Sequence, residues 1–167
     1  MQPTILTSHG TPLYRQVQNY LQADTDLNFG LVGALGNGAA SIYPNFTSDG
    51  PNKDRTICPT PFLLVVDGGI RKVDAGSREF KVIIEVHDDP DHGDIRWPGL
   101  LERVKDWLIN QNLFRPVNDV WGRYSGGVYF DEQSPPWLPD ERFDTNMVQL
   151  IVAARGMDRT SNKGYNG

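Results

Sequence analysis

Residues 86–94, VHDDPDHGD, are the part of this sequence whose side chains are best suited to bind a metal ion. They include two of the three histidines and four of the 21 acidic residues. Imidazole nitrogens and carboxylate oxygens are ligands for zinc and other divalent ions, and such an ion can activate water for hydrolysis. The candidate ligands are His87, Asp88, Asp91 and His92.

The spacing of these residues matches no metal motif that has a mechanism behind it. An HExxH site places both histidines on one helical face, and Pro90 prevents a helix across this segment. An EF-hand loop needs alternating oxygen ligands and a glutamate at position twelve, which no register starting at Asp88, Asp89 or Asp91 provides. We favour a solvated acidic turn in which Asp94 caps the next helix, and we predict no metal, no cofactor and no enzymatic activity.

Three other features that could do chemistry lack the context they need. The glycine-rich residues 33–38 are not followed by the Lys-Ser/Thr pair of a phosphate-binding loop. Ser125 does not lie in a G-x-S-x-G turn. Cys58 is the only cysteine, which excludes an internal disulfide and a thiolate zinc cluster. Its one basic neighbour is Arg55, so we do not expect a catalytic thiolate there.

The acidic segment lies between a predicted strand and a predicted helix. In residues 79–87 every second side chain is apolar, which is typical of a strand with one face in a core. The apolar positions are Phe80, Val82, Ile84 and Val86, and the opposite face carries Glu79, Lys81, Glu85 and His87. Residues 98–110 carry apolar side chains at helical spacing, so we predict a helix directly after the acidic turn.

The N-terminal half is predicted to begin with another helix, over residues 11–24. Thr11 and Pro12 are favourable at a helix start, and an apolar stripe follows at helical spacing. Residues 36–61 show no periodicity, so we predict a long loop that is functional or becomes ordered against a partner. Residues 62–66 are predicted to be a strand, and residues 67–69 a turn that leads into a returning arm over residues 70–73.

The C-terminal half is predicted to contain two more strands, over residues 123–131 and 143–154, joined by a stiff proline-rich connection. Residues 156–167 have almost no apolar content and are predicted to be a flexible tail. We therefore predict an α+β fold with one domain over residues 1–155. It should contain a mostly antiparallel sheet of about four strands, two helices packed on one face, and long loops.

Trp137 and Leu138 lie in the proline-flanked sequence SPPWLPDE. A large apolar pair on a stiff loop either folds back onto its own domain or anchors a partner. Both alternatives stay open at this point. If a partner binds there, these two residues are the interface candidates.

Composition excludes several classes of protein. The chain of 167 residues carries a net charge of −5, which is unlike the basic footprint of a nucleic-acid-binding domain. It contains no apolar run of about 18 residues that could span a membrane, and its N-terminus lacks the plan of a signal peptide. We expect synthesis in the cytoplasm, no membrane partner and no specific binding of DNA.

The sequence from residue 79 to 108, EFKVIIEVHDDPDHGDIRWPGLLERVKDWL, resembles the central strand, acidic turn and helix of the tail terminator proteins of long-tailed bacteriophages. In that family an N-terminal helix and an apolar proline-containing strand come first, here PTPFLLVV over residues 59–66. Two late strands then enclose a variable acidic loop. The resemblance extends over residues 13–154 and consists of the order of short local patterns, because the family has no catalytic motif.

The resemblance implies a structural protein of the virion, located where the tail meets the neck. Such proteins are small α+β domains that assemble into a hexameric ring on the tail tube and end its polymerisation. Their partners are further copies of themselves, the tail tube protein and the head-completion protein, and DNA passes through the ring without specific binding. A head-closure, neck or baseplate protein is the alternative, and a metal-dependent hydrolase using the His87–His92 segment is a third hypothesis.

Overall fold

The computed structural model of the protein describes residues 11–45, 50–90, 97–110, 114–118, 123–135 and 138–157. These residues form one compact domain with three α-helices and a mixed six-stranded sheet. The predicted α+β class is confirmed. The predicted number of about four strands is wrong, because two short strands lie in the predicted loop of residues 36–61 and in the proline-rich connection.

Along the chain, two helices precede three strands, and the third helix and three more strands follow. The helices are α1 (Leu13–Gln22), α2 (Leu31–Ala34) and α3 (Trp97–Lys105), which continues into a π-helical turn (Asp106–Asn110). The strands are β1 (Ile42–Pro44), β2 (Phe62–Asp74), β3 (Ser77–Asp88), β4 (Tyr124–Gln133), β5 (Leu138–Asp140) and β6 (Thr145–Met157). The sheet order is β1-β2-β3-β6-β4, with β5 also pairing with β6. The β1–β2 pair is parallel, and the other pairs are antiparallel.

The turn predicted at residues 67–69 is a bulge inside one long strand. The register of β2 against β3 shifts between Asp67 and Ile70, and the strand then continues to Asp74. Gly69 has a φ of 86°, and its backbone N–H donates to Asp67 Oδ1 over 2.8 Å. A glycine in the left-handed region is typical of bulges as well as of turns. The reversal of direction follows Asp74, with Gly76 at a φ of 80°.

Three-residue strands account for the two missing members of the sheet. β1 lies within the predicted loop of residues 36–61, and β5 lies within the proline-rich connection. Each contains a proline, Pro44 or Pro139, and proline is tolerated at sheet edges because it has no N–H to donate. Three residues are too few to show a periodicity of two, so the pattern could not reveal these strands.

β6 continues two residues beyond the predicted domain end. Gly156 pairs with both Arg78 and Tyr124, and the Met157 N–H donates to the Arg123 carbonyl over 2.7 Å. A Cβ at Gly156 would overlap the Arg123 carbonyl oxygen, so only glycine allows this close approach. Residues 158–167 of the predicted tail lie outside the described residues.

The main core lies between the sheet and the two longer helices, on one face of the sheet. It contains the predicted apolar side chains of α1, β3 and α3: Leu13, Val17, Leu21, Phe80, Val82, Ile84, Val86, Leu100, Leu101, Val104 and Leu108. All of them are buried. This outcome confirms the predicted alternation in β3 and the predicted apolar faces of both helices.

An ion pair joins the end of α1 to α2 and α3. Asp24 is completely buried, and its carboxylate accepts hydrogen bonds from the backbone N–H of Leu31 over 3.0 Å and from Arg103 Nε over 2.6 Å. Arg103 Nη2 lies 2.5 Å from the second carboxylate oxygen. Such a two-point contact fixes both position and orientation, so Asp24 determines how α2 lies against α3.

Candidate functional site

His87 and Asp88 form the end of β3, and both side chains are completely buried. The prediction of a solvated turn is therefore wrong for Asp88, and the turn begins only after it. Asp88 Oδ1 accepts a hydrogen bond from the backbone N–H of Asp89 over 2.8 Å. The other two candidate ligands, Asp91 and His92, lie outside the described residues.

A second, smaller core covers His87 on the face of the sheet opposite the helices. It contains Cys58, Phe62, Leu64 and Phe143. The imidazole of His87 stacks on Phe62 with ring centroids 4.6 Å apart and planes 10° apart. It meets Phe143 edge-on, at 5.3 Å and 81°. These aromatic contacts exclude water from the imidazole, whose polar atoms therefore need partners within the protein.

Both ring nitrogens of His87 have a partner. Nε2 lies 3.0 Å from Glu85 Oε1, and Nδ1 lies 2.8 Å from Thr145 Oγ1. An ionised carboxylate can only accept a hydrogen bond, so Nε2 must carry a proton when Glu85 is charged. The Thr145 hydroxyl can either donate or accept, and it therefore satisfies Nδ1 in the neutral or the charged ring.

Glu85 is held by three side chains although it is only 4% exposed. In addition to His87, Arg142 Nη2 donates to Oε1 over 2.9 Å and Gln149 Nε2 donates to Oε2 over 3.0 Å. Burial by itself raises the pKa of Glu85, but the hydrogen bonds from His87 and Gln149 and the charge of Arg142 outweigh it. The net effect is a lowered pKa, so Glu85 is an anion inside the fold.

The hairpin of β5 and β6 supplies most of the partners. Asp140, Arg142, Phe143 and Thr145 all come from it. Arg142 binds the buried Asp140 carboxylate through Nε at 3.0 Å and Nη2 at 2.5 Å. Burial raises the pKa of Asp140, but the hydrogen bonds and charge of Arg142 outweigh that effect and lower it. The single positive charge of Arg142 therefore offsets part of the negative charge of two buried carboxylates, Glu85 and Asp140.

The loop before β2 holds this hairpin in place. Arg55 Nη2 donates to the carbonyl of Phe143 over 2.5 Å and to that of Asp144 over 3.1 Å. Arg55 Nε also binds Asp89 over 2.9 Å, and Thr60 donates to the same carboxylate over 2.6 Å. The described part of the predicted long loop is therefore packed against its own domain, where it closes the second core.

Glu85, His87 and Asp140 could in principle hold a metal ion. Their ligand atoms lie within 4.8 Å of one another, and one imidazole with two carboxylates is a suitable donor set for zinc. However, the Arg142 guanidinium already lies against both carboxylates, where the charge of an ion would be needed. Both nitrogens of His87 are also engaged. This group of side chains satisfies itself and does not fit a resident metal.

Thr145, His87 and Glu85 are connected in the order of a hydroxyl, base and carboxylate. A catalytic triad uses such a chain to activate a nucleophile. Here Thr145 is 2% exposed and His87 is 0% exposed, so a substrate cannot approach the hydroxyl in this conformation. The three side chains can share protons within the core and hold the β5–β6 hairpin in place, but no substrate can reach them in this conformation.

The structure brings only one predicted ligand, His87, into this network. Glu85 shares its face of β3, and that two-residue spacing was the one available sequence signal. Asp140 and Arg142 lie more than fifty residues further along the chain, without a motif that links them to His87. Of the two interface candidates, Leu138 is half-buried in β5 and pairs with Met147, whereas Trp137 lies outside the described residues.

Comparisons with known proteins identify no family for this chain. Neither a scan against protein-family models nor a search of the curated proteins found a match. Among the described helices, none has the length and apolar character needed to cross a membrane.

Proposed function

We propose that this protein is a structural component of a long-tailed bacteriophage that forms a ring on the tail tube. The ring ends tube polymerisation and joins the tail to the neck at that place in the virion. The observation that carries this proposal is a contrast between the interior and the surface. Among the described residues, Glu85, His87 and Thr145 are closed off in a self-satisfied network, while large apolar side chains are exposed on the surface.

The exposed apolar side chains are typical of a protein that assembles. Leu27, Phe29 and Ile70 are 99%, 77% and 59% exposed. Leu27 and Phe29 line the same open groove, and an exposed apolar patch of this kind can mark a protein–protein interaction site. An α+β domain of this size, with helices on one face of a sheet, is also the architecture that the resemblance implies.

The charge of the chain suits a conduit for DNA. A net charge of −5 disfavours retention of phosphate, because attraction to DNA depends on lysine and arginine side chains that release counterions. We propose that DNA passes through the ring without specific binding. The protein partners are then further copies of this chain, the tube protein and the head-completion protein.

Two other functions remain as alternatives. A head-closure, neck or baseplate protein would use the same fold, because a fold does not determine a function. A metal-dependent hydrolase would use His87, Asp88, Asp91 and His92, but both ring nitrogens of His87 already have hydrogen-bond partners in Glu85 and Thr145. No observation on the described residues favours the hydrolase over a structural role.

The first test is the native mass in solution together with the effect on tube growth. Light scattering should give about six times the 18.7 kDa of one chain, unchanged when a chelator is replaced by a divalent metal. Added to polymerising tail tube protein, the chain should shorten the tubes and bind at their ends. A monomer that leaves tube length unchanged would contradict the proposal, and binding only to the head-completion protein would favour the head-closure alternative. A monomer that retains one metal ion per chain would favour the hydrolase.

A further inference from the structure

An open groove of about 330 Å³ lies between α3 and the segment that leads into α2. We call it the α3 groove. Its lining includes Leu27, Phe29, Leu31, Ala34, Leu100 and Arg103. Leu27 and Phe29 are 99% and 77% exposed, so the groove has an apolar wall that no described part of the chain covers.

The rim of the α3 groove is acidic. Glu102 and Asp106 lie along α3 next to Phe29, and Asp26 lies in the segment before α2. The backbone N–H groups of Asn28 and Phe29 lower the pKa of Asp26, so it is an anion at neutral pH. The positive charge of Arg103 is matched by the buried Asp24, and Lys105 lies 3.5 Å from Glu102. Asp26 and Asp106 therefore leave the rim with an excess of negative charge.

The end of β2, next to the turn into β3, has the opposite character. We call residues 70–74, the last five residues of β2, the hairpin tip. Ile70 and Val73 are 59% and 37% exposed, and Arg71 and Lys72 lie between them. Arg71 Nη2 lies 2.8 Å from Glu79 on β3, and Lys72 lies opposite Arg78. With these two β3 neighbours the hairpin tip carries three cations against two acids, Asp74 and Glu79, so it combines apolar side chains with a small net positive charge. The hairpin tip thus complements the α3 groove, because its apolar side chains match the apolar wall and its positive charge matches the acidic rim.

The two surfaces lie at opposite ends of the domain. Ile70 borders a depression that also contains Pro12 and Tyr14, at the N-terminal end of α1. The α3 groove begins after Asp24, beyond the C-terminal end of α1. Ten helical residues span about 15 Å, and the hairpin tip cannot reach the groove of its own chain across that distance while it remains in the sheet.

We propose that the hairpin tip of one copy of this chain docks into the α3 groove of the next copy. The inference rests on the proposed ring and specifies its subunit contact. Because the two surfaces differ and lie at opposite ends, the contact is head-to-tail, and a head-to-tail contact generates a ring when its rotation closes. The apolar side chains provide buried area, and the opposite charges fix the orientation of the contact.

Cysteine cross-linking between two different variants tests the contact directly. Ile70→Cys and Phe29→Cys chains are mixed and treated with a short thiol-specific cross-linker. The native Cys58 is completely buried and does not compete. The matched control replaces Phe29→Cys by Ile57→Cys, because Ile57 is similarly exposed, at 65%, but lies in neither surface. The Ile70–Phe29 product should exceed the control product about tenfold.

Charge reversal provides a second, independent measurement. Lys72→Glu alone and Glu102→Lys alone should each weaken self-association about tenfold, since each places like charges across the contact. When the two variants are mixed, the tip of the Lys72→Glu chain should bind the groove of the Glu102→Lys chain, because this contact again places opposite charges together. Lys53→Glu and Glu132→Lys, at exposed positions outside both surfaces, should leave association unchanged.

The outcomes separate the contact from the ring. A closed ring whose Ile70–Phe29 cross-link does not exceed the control overturns the contact but leaves the proposed function standing. A specific cross-link in open chains of copies supports the contact and counts against the ring. If a different protein binds the α3 groove and no Ile70–Phe29 product forms at any soluble concentration, the occupant is not a second copy and the inference is overturned.

Discussion

The two faces of β3 are both buried at their centre, but they are buried by different means. On the helix face, Val82 and Ile84 lie under α1 and α3 in a continuous apolar core. On the opposite face, which we call the hairpin face, Glu85 and His87 lie under the β5–β6 hairpin in a network of charges and hydrogen bonds. The first face requires only apolar side chains of suitable volume, whereas the second requires each polar atom to find a specific partner.

Because of this difference, a substitution destabilises the two faces for different reasons. On the helix face a lost side chain leaves a cavity, and the cost depends on how far its neighbours relax. On the hairpin face a lost side chain leaves a buried charge or polar atom without a partner. The largest expected effect tests the first face, and the smaller ones test the second.

Ile84→Ala should lower the free energy of unfolding by about 3–4 kcal/mol, because the completely buried Ile84 would leave a cavity in the main core. Ile83→Ala is the matched control, since Ile83 is the same residue type, adjacent in β3, but only half-buried on the opposite face. We expect Ile83→Ala to lower the free energy of unfolding by about 1 kcal/mol. Urea unfolding measures both values. Equal losses at the two positions would contradict the assignment of the main core to the helix face.

Arg142→Met should cost about 2 kcal/mol, because it leaves Glu85 and Asp140 buried without their shared cation. The Arg142 side chain is 42% exposed, and solvent screening keeps the cost below that of a fully buried pair. Adding Glu85→Gln to this variant should recover part of the loss, because it removes one uncompensated charge.

Arg15→Met is the control for the Arg142 substitution. Arg15 is exposed on α1, so its replacement should change stability by less than about 0.5 kcal/mol. If Arg15→Met and Arg142→Met cost the same, the guanidinium of Arg142 does not stabilise the network. If Glu85→Gln deepens the loss in the Arg142→Met variant, the carboxylate is not the uncompensated group.

The contrast between the two faces also explains how far the sequence could predict the structure. The apolar alternation of Phe80 to Val86 is a local signal of period two, so it identifies β3 and its core face without any knowledge of distant residues. The same alternation places Glu85 and His87 on the other face, where a strand at the surface would expose them. Burial of that face depends on Phe143 and Arg55, which lie far away in sequence and carry no local pattern.

A similar limit applies to β2 and its bulge. Asp67, Gly68 and Gly69 have the composition of a hairpin turn, which predicts a turn at these residues. A left-handed glycine serves a bulge equally well, and only the pairing of β2 with β3 decides between the two. The exposed position of the hairpin tip therefore could not be predicted from the local sequence.

Acid should destabilise the protein in part through the hairpin face. The folded pKa values of Glu85 and Asp140 are lowered, so the unfolded chain binds protons more readily than the native state near the ordinary carboxyl range of about pH 4. Their stabilisation is complete above that range and is lost as the pH falls through the lower folded values. The loss should be smaller than that of Arg142→Met, because protonation leaves the packing in place.

Urea unfolding at constant ionic strength, measured from neutral pH down to the acid range, follows this loss. The double variant Glu85→Gln with Asp140→Asn cannot release protons at these two positions, so its stability should fall less steeply with decreasing pH. Identical slopes for the two proteins would show that other carboxylates determine the acid response.

Thr145→Val should give the smallest loss, about 1 kcal/mol, because it removes one hydrogen bond to His87 Nδ1 and keeps the shape of the side chain. Valine is β-branched like threonine, so the strand preference of β6 does not change. Thr25→Val, at an exposed position before α2, is the control and should be neutral. A gain in stability at position 145 would mean that Nδ1 of His87 does not need this partner. The hairpin face would then tolerate an unsatisfied polar atom.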